Sequence, residues 1–431
     1  MVAGTPPLQH SHRKMNASRL FSALGLLTMA AAGQVDDKTF LEQYEKTFEQ
    51  GGPVPAKEFV PEAQMRGVLH LVRPLADNDG LNNTYFMEAQ GVVMEVTGTP
   101  ALIVRIREIY ALDYLRGLSK TEEFGKAFAK SAGAKVDSVV GVVRDPIGAI
   151  KNVPKGASRF FGRIGEGMKG GKSNEESSGA LAGITGVDKA KTQLAASLGV
   201  SPYTTNEELQ HELTTTSRAM AGGGLLISAA TSLASGGAAT ALTVVGVNQS
   251  LQETLINSTP EDLRIINRKK LFALGVTRTN ADEFLMHPWY SPWHETIITD
   301  ALANIGADPT IFLGQACQAL TPEDALYFQR LAQLLERYHA TKAPLRSIRV
   351  ENGVVCAIDQ VGVLIVPLSC DYGIWAERAA RRAEELAATA RSNSSLTGLA
   401  LWVDGNVSAR LAQELGARKI AVKTYALSSR Q

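Results

Sequence analysis

The densest group of aromatic and imidazole side chains in the chain lies within HPWYSPWHE, residues 287–295. Aromatic rings beside prolines can line a pocket for a sugar, a lipid or a peptide, because each ring offers a large apolar face and often a polar edge. Such a pocket would bind its ligand through five side chains of the segment: His287, Trp289, Tyr290, Trp293 and His294.

The same segment has two other interpretations. His287, His294 and Glu295 are residue types that bind zinc, but a helix start at Ser291-Pro292 separates the two histidines and removes the spacing that zinc sites use. Aromatic residues at a helix start also pack one helix pair against the next. The pattern favours this packing interpretation, and the ligand pocket stays as an alternative. We predict neither a metal nor any other cofactor.

The remaining motif candidates fail on spacing. DNDGLNN, residues 77–83, has no register that places both the glycine and the last glutamate of an EF-hand loop. Gly171-Lys172-Ser173 would need glycine at position 166 to form a Walker A loop, and the residue there is Glu166. The sequence also has no G-x-S-x-G, H-E-x-x-H or paired-carboxylate motif. We therefore expect no nucleotide partner, and the sequence favours a non-enzymatic protein over an enzyme.

The aromatic segment belongs to a predicted helical block, residues 259–343. Three of its helices start with a hydroxyl residue followed by proline, a combination that caps and opens a helix: Thr259-Pro260, Ser291-Pro292 and Thr321-Pro322. Gly275 and Gly306 break the first two units, and a second short helix is expected after each. Stacked helix pairs of this kind resemble an α-solenoid segment, and a compact bundle is equally compatible.

Residues 344–431 change to a strand-rich pattern. LRSIRV, VVCAID and GVLIVPL predict a three-stranded meander with a type I′ turn at Asn352-Gly353, which sets Cys356 opposite Arg349. Two helices and two strands alternate after it, so the order βββαβαβ predicts a small α/β sandwich. We expect the cysteines to be small buried side chains and not a disulfide framework: Cys317, Cys356 and Cys370.

With the helix that precedes these strands, the order αβββαβ resembles the restriction-endonuclease-like core. The resemblance implies an aspartate on the second strand and an acid-x-Lys motif on the third. Asp359 matches the first requirement, but the third strand, VLIVPL, supplies neither residue of the second. The resemblance therefore implies an inactive site, and we predict that residues 344–431 form a binding or assembly module.

The beginning of the chain has the layout of a secretory signal peptide at residues 15–33. Basic residues including Arg19 precede an apolar run from Leu20 to Met29, and small residues follow as far as Gly33. The run is too short to span a bilayer as an anchor, which favours a cleaved signal peptide; the alternatives are a retained anchor and a chance apolar helix. Residues 1–14 look like an over-long start ahead of Met15. We expect export across or into the inner membrane, to the periplasm or the cell envelope.

Residues 36–143 are predicted to form an N-terminal α/β region. It contains strands between residues 67 and 97, a helix from Thr99 to Leu118, and a further helix opened by a capping box at Ser119. Residues 144–183 form a basic, glycine-rich linker. The pattern favours a solvated helix plus linker. Contact with anionic lipid is the alternative, because three apolar residues of the linker share one helical face: Phe161, Ile164 and Met168.

A neutral run, residues 219–247, lies within a predicted helical segment, residues 184–258, and has no charged and no aromatic residue. Small residues recur in it every four positions: Gly224, Ser228, Ser232, Gly236 and Thr240. Such a row allows close helix packing in a membrane or in a soluble core. Because its hydrophobicity is marginal for insertion, three interpretations stay open: a buried helix or hairpin, a transmembrane helix, and conditional insertion as a hairpin.

The overall composition is globular. A formal net charge of +1 with 20% charged residues excludes a wholly disordered or nucleic-acid-coating protein. We predict an α+β, mainly helical fold. The predicted function is that of an exported, non-enzymatic cell-envelope protein that binds or organises a protein or lipid partner at a membrane. Two alternatives are a membrane-inserting or pore-type protein acting through residues 219–247, and a hydrolase or lipid-handling enzyme using residues 287–295.

Overall fold

The computed structural model describes residues 43–131, 178–221 and 247–425. Met1–Phe48 form one compact unit, of which a short helix at residues 43–47 is described, and Glu49–Gln431 form a second unit that carries every element below. Three sets of predicted features lie outside the described residues: the signal peptide with the start before it, the row of small residues from Gly224 to Thr240, and the face formed by Phe161, Ile164 and Met168.

An antiparallel five-stranded sheet opens the second unit. Its strands are β1 (Gly52–Pro55), β2 (His70–Val72), β3 (Leu75–Asn78), β4 (Asn83–Ala89) and β5 (Val92–Thr97). One edge of β4 pairs with β5, and its other edge pairs with β3 and β2, while β1 lies outside β3. Alternate residues of β4 are buried, as expected for a strand that packs one face on a core.

In the described ranges 43–131 and 178–221, the helices that accompany this sheet or follow it are α1 (Glu62–Met65), α2 (Thr99–Leu118), α3 (Glu122–Ser131), α4 (Ser178–Ser197) and α5 (Glu207–Ala221). The first half of α2 covers the sheet, where Leu102 and Ile106 pack with Tyr85 of β4. Its second half packs Leu115 with Leu209 of α5 and with residues of α4. α2 therefore joins the N-terminal sheet to the helices that follow.

The helical block consists of α6 (Gln249–Asn257), α7 (Pro260–Ala273), α8 (Arg278–Leu285), α9 (Pro292–Ile305), α10 (Thr310–Ala316) and α11 (Pro322–Thr341). The three predicted caps are confirmed, because Thr259, Ser291 and Thr321 each accept the backbone N–H three residues further on. The predicted breaks are confirmed as well: Gly275 and Gly306 have φ of 83° and 72°, and a short helix follows each.

The second sheet is mixed and five-stranded, with the order β10-β9-β8-β7-β6. Its elements in chain order are β6 (Leu345–Glu351), β7 (Val354–Asp359), β8 (Val363–Gly373), α12 (Glu377–Ser392), β9 (Gly398–Val407), α13 (Ala409–Ala417) and β10 (Ile420–Thr424). β6, β7 and β8 are antiparallel, and β8, β9 and β10 are parallel. Positive φ at Asn352 (52°) and Gly353 (77°) confirms the type I′ turn, and Cys356 lies opposite Arg349 as predicted.

The helical block and this sheet share one apolar core. Ile298 of α9 and Leu335 of α11 belong to the same buried cluster as Ile348, Ile365 and Trp402 of the sheet. The three cysteines are free, as expected; Cys356 and Cys370 are buried, whereas Cys317 is partly exposed, contrary to the prediction that all three are buried.

A buried carboxylate connects the two sheets. β8 bulges between Ser369 and Tyr372, within the stretch that contains Asp371. The Asp371 carboxylate accepts the backbone N–H of Asn83 at 2.9 Å and that of Thr99 at 2.9 and 3.1 Å. The N-cap residue of α2 is a glycine without a capping side chain. Asp371 therefore supplies the cap of α2 from a distant part of the chain.

The endonuclease resemblance calls for acidic residues on the second and third strands of the second sheet, and the acids found there, Asp359 and Asp371, have structural partners. Asp359 accepts the Tyr338 hydroxyl at 2.7 Å and the backbone N–H of Val363 at 2.8 Å, so it stabilises the turn between β7 and β8. β8 is longer than the sequence pattern predicted and includes Asp371, but Gly373 stands where an acid-x-Lys motif has its lysine.

The α+β class is confirmed by the helices together with the two sheets. The prediction of a transmembrane helix is wrong for the described residues: no helix within residues 43–131, 178–221 and 247–425 has both the length and the apolar character needed to cross a bilayer.

Candidate functional site

The aromatic segment 287–295 connects α8 to α9 and reaches the end of α10. Tyr290 is buried, and its hydroxyl donates to the carbonyl oxygen of Ala316 at 2.8 Å. His287 Nε2 lies 3.0 Å from the carbonyl oxygen of Cys317. Trp289, by contrast, is 41% exposed. The first half of the segment thus combines packing contacts with one solvent-facing ring.

Trp293 and His294 belong to the first turn of α9. Trp293 Nε1 donates to the carbonyl oxygen of Leu255, in the last turn of α6, at 3.2 Å, and its ring meets the Tyr203 ring edge-on at 6.1 Å between centroids. His294 Nδ1 accepts the backbone N–H of Ser291 at 3.3 Å and completes a capping box. Burial lowers the pKa of His294 to about 4, so this imidazole is neutral at pH 7.

Of the five predicted ligand-binding side chains, His287 and His294 each meet the Tyr290 ring, at 5.3 and 6.4 Å between centroids, whereas Trp293 packs on Tyr203. Ligand binding by these side chains stays a prediction. The zinc interpretation has no support from the described part of the chain, in which no group of three or more His, Cys, Asp or Glu side chains is arranged to bind a metal ion. The geometry draws attention instead to the last residue of the segment, Glu295.

Glu295 differs from the other buried carboxylates in the described ranges. Its side chain is 1% exposed, and neither of its oxygens accepts a hydrogen bond there. The other buried carboxylates all have hydrogen-bond donors: Glu108, Asp359, Asp371 and Asp404. Because native proteins hydrogen-bond nearly all of their buried polar groups, an unpaired carboxyl marks an unusual site.

Arg264 of α7 faces Glu295 without binding it closely. Its Nε lies 3.7 Å from Glu295 Oε2, beyond hydrogen-bond distance, and makes no hydrogen bond to any described residue. The Arg264 side chain is 35% exposed, so it extends from the buried carboxyl to solvent. Two other cations of α7 are paired more closely: Arg268 lies 2.6 Å from Asp282, and Lys270 pairs with Asp300.

Other buried polar atoms near α7 and α9 lack hydrogen-bond partners among the described residues. Asn267 Nδ2 donates to Thr296 Oγ1 at 2.9 Å, but Asn267 Oδ1, Thr299 Oγ1 and the Tyr203 hydroxyl have no hydrogen-bond partner among the described residues. Thr299 lies one turn after Glu295 and therefore on the same face of α9. We call these residues the Glu295 cluster: Tyr203, Arg264, Asn267, Glu295 and Thr299.

Desolvation dominates the electrostatics of the Glu295 cluster. Burial raises the pKa of Glu295 to about 8, although the positive charges of Arg264 and Arg268 act in the opposite direction. Burial, followed by the negative charges of Asp188 and Glu295, raises the pKa of Tyr203. Glu295 is therefore mostly a neutral acid at pH 7. A buried acid that titrates near neutral pH can bind a cation or exchange a proton.

The sequence contained a signal for this site that pattern reasoning missed. Glu295 was considered only as a zinc ligand, and the other members of its cluster were not singled out. In α9, Glu295, Thr299 and Leu302 fall on one buried stripe, so two polar residues occupy positions that normally carry apolar side chains. In α7, Asn267 is likewise a buried polar residue within an apolar stripe.

The helix pair α7 and α9 holds a carboxyl that is buried and unpaired, beside a cation that reaches solvent. Comparisons of the chain with protein-family models, with curated proteins and with solved structures gave no match.

Proposed function

We propose that the protein is an exported, non-enzymatic binding protein of the cell envelope and that its helical block binds a ligand at the Glu295 cluster. The Glu295 carboxyl carries the proposal, because it is buried without a hydrogen bond among the described residues. An unpaired buried polar group destabilises a fold by about 1–3 kcal/mol. Residues that oppose stability are typical of functional sites.

The surroundings of the cluster support a preorganised site. Leu255 and Leu263 pack with Trp293 and Ile297 on one side of α9, and Ile298 belongs to the large core shared with the second sheet. α9 is thus held between two apolar clusters. A binding group on a helix that is fixed in this way keeps its position without the ligand.

Export and the organisation of partners belong to the same proposal. In it, the βββαβαβ order of residues 344–431 forms an α/β sandwich that supports the helical block, since the two share a core. N-terminal sequencing of the abundant species tests export. A mature chain that begins near Gly33 or Gln34 supports it, whereas retention of Met1 or Met15 contradicts it.

Replacing Glu295 by leucine distinguishes a residue kept for ligand binding from a residue that stabilises the fold. If Glu295 serves binding, Glu295→Leu should raise the free energy of unfolding of the ligand-free protein by about 1–3 kcal/mol at about pH 9, where the carboxyl is ionised. Urea unfolding followed by tryptophan fluorescence measures the change.

Glu108→Leu is the matched control. Glu108 is also a buried glutamate on a helix, but it lies 2.7 Å from Arg105 and accepts a hydrogen bond from Thr204. Glu108→Leu leaves Thr204 and the partly exposed Arg105 without their acceptor, which lowers the free energy of unfolding by about 1–3 kcal/mol. A loss of that size for Glu295→Leu would show that Glu295 is a structural residue, and the proposed function would then be wrong.

A further inference from the structure

Building on the proposed function of the Glu295 cluster, we propose that the bound group is an alkylguanidinium or alkylammonium ion and that Arg264 occupies its place in the free protein. The ligand is thus a small organic cation with several N–H donors. It would form with Glu295 the ion pair that Arg264 makes only loosely.

The charges near the cluster favour a cation. Asp188 of α4 and Glu261 of α7 lie close enough to the Tyr203 hydroxyl to raise its pKa, as does Glu295. Arg264 is the positive charge that acts against them at this hydroxyl. When these three carboxyl groups are ionised, each adds to a negative potential at the Tyr203 hydroxyl, and such a potential attracts a cation.

Arg264 has the geometry of a displaceable group. Its separation of 3.7 Å from Glu295 Oε2 contrasts with the 2.6 Å between Arg268 and Asp282 on the same helix. Since the Arg264 side chain is 35% exposed, it can turn into solvent without leaving a buried positive charge behind. A ligand cation can then pair with the carboxyl in its place.

The unpaired atoms also match N–H donors. Both Glu295 oxygens and Asn267 Oδ1 are acceptors without donors in the described part of the chain. Guanidinium and ammonium groups present several N–H bonds and pair strongly with carboxylates. The Tyr203 ring, edge-on to Trp293, adds an aromatic group beside which a cation is favourable.

Binding should be linked to the loss of a proton. Arg264 and Arg268 of α7 and Tyr203 of the α4–α5 connection are the charged or titratable groups that act on Glu295 or respond to it, while α6 presents the apolar Leu255. Because the pKa of Glu295 is raised to about 8, a cation that binds at pH 7 must displace about one proton. Apparent affinity should be about tenfold weaker at pH 7 than at about pH 9.5.

Calorimetric titration tests the proposal with three probes of similar shape: propylguanidinium, propylammonium and the neutral propylurea. We expect both cations to bind the wild-type protein and to release about one proton at pH 7, measured in buffers of different ionisation enthalpy. Propylurea should not bind. Arg264→Ala should bind the cations more tightly, because the competing group is removed, and Glu295→Gln should not bind them. The control is Asp300→Asn, which replaces another carboxylate of α9, the helix of Glu295; this variant should bind the cations as the wild type does.

An acetyl-Ala-Arg-Ala-amide peptide, titrated alongside, identifies the source of the cation. Binding equal to that of propylguanidinium supports a basic side chain of a partner, and binding of propylguanidinium alone supports a free small cation. Three results would overturn the proposal: equal binding of propylurea, binding by Glu295→Gln, or cation binding that appears only after Arg264→Ala.

The proposed function can survive such a failure. If no cation binds while Glu295→Leu stabilises the protein, the ligand chemistry is wrong and the binding site is retained. If Glu295→Leu destabilises the protein as Glu108→Leu does, both the proposed ligand chemistry and the proposed binding function are wrong.

Discussion

Replacing Glu295 by glutamine should change how the stability of the protein depends on pH. The ordinary pKa of this carboxyl is 4.5, and burial raises it to about 8 in the folded protein. A group with a higher pKa in the folded state contributes its full stability below the unfolded pKa and loses it as the pH rises through the folded pKa. Glutamine does not titrate, so the variant lacks this loss.

The magnitude follows from the two pKa values. A rise from 4.5 to about 8 corresponds to about 5 kcal/mol at 1.36 kcal/mol per pH unit. Solvent screening is small because the side chain is 1% exposed. Relative to Glu295→Gln, the free energy of unfolding of the wild type should therefore fall by up to about 5 kcal/mol between pH 4.5 and 9, with little further change above it.

Urea unfolding at about pH 5, 7 and 9 measures the two profiles. Taking the difference between wild type and variant cancels the titration of groups away from Glu295. Glu283→Gln, which replaces an exposed carboxyl on α8, should follow the wild-type profile. Parallel profiles for wild type and Glu295→Gln would refute the reasoning, because they would show that the carboxyl ionises alike in the folded and unfolded states.

Substitutions at three other positions test the fold by their change in the free energy of unfolding. Asp371→Ala should lower it by about 3 kcal/mol, because the backbone N–H groups of Asn83 and Thr99 lose their buried acceptor; Asp371→Asn, which keeps an acceptor oxygen, should lose less. Trp293→Ala should lose about 3–5 kcal/mol, and an unchanged stability would favour a ligand pocket. Gly405→Ala should lose about 3 kcal/mol, because φ is 129° and a Cβ would lie 1.7 Å from a backbone oxygen; wild-type stability would contradict this close approach.

Helix starts and tight turns were predictable because local chemistry determines them. A hydroxyl residue before proline satisfies free N–H groups at a helix start, and Thr259 and Ser291 cap their helices in this way. Asn352-Gly353 forms the predicted turn because both residues tolerate positive φ. These features depend on a few neighbouring residues, so one sequence is enough to find them.

Features that depend on distant residues were not predictable in the same way. Ser119 was predicted to cap α3, but it ends α2, and Thr121 Oγ1 accepts the backbone N–H of Phe124 at 3.3 Å instead. The strand that contains Asp371 was predicted to end too early, since its last residues pair with β9 through a bulge. No local pattern indicates that Asp371 caps a helix far away in the sequence.

The candidate site also combines features that neighbouring residues determine with features that distant residues determine. The Ser291 cap within segment 287–295 followed from local rules, whereas ligand binding by the aromatic residues of the segment stays a prediction. The burial of Glu295 depends on how α7 packs against α9. The long distance between Arg264 and Glu295 also depends on tertiary packing, because packing decides which arginines of α7 have a close carboxylate partner. Periodicity can place Glu295 on a buried stripe, but it does not show whether a donor faces it.

The protonation of Glu295 in the free and bound protein tests the central claim most directly. Carbon-13 NMR of the side-chain carboxyl, assigned with Glu295→Gln, should give a titration midpoint near pH 8 in the free protein. With propylguanidinium bound, the same carboxyl should be ionised at pH 7. A midpoint near pH 4.5 in the free protein, or a carboxyl signal that does not respond to propylguanidinium, would contradict a cation-binding role for this residue.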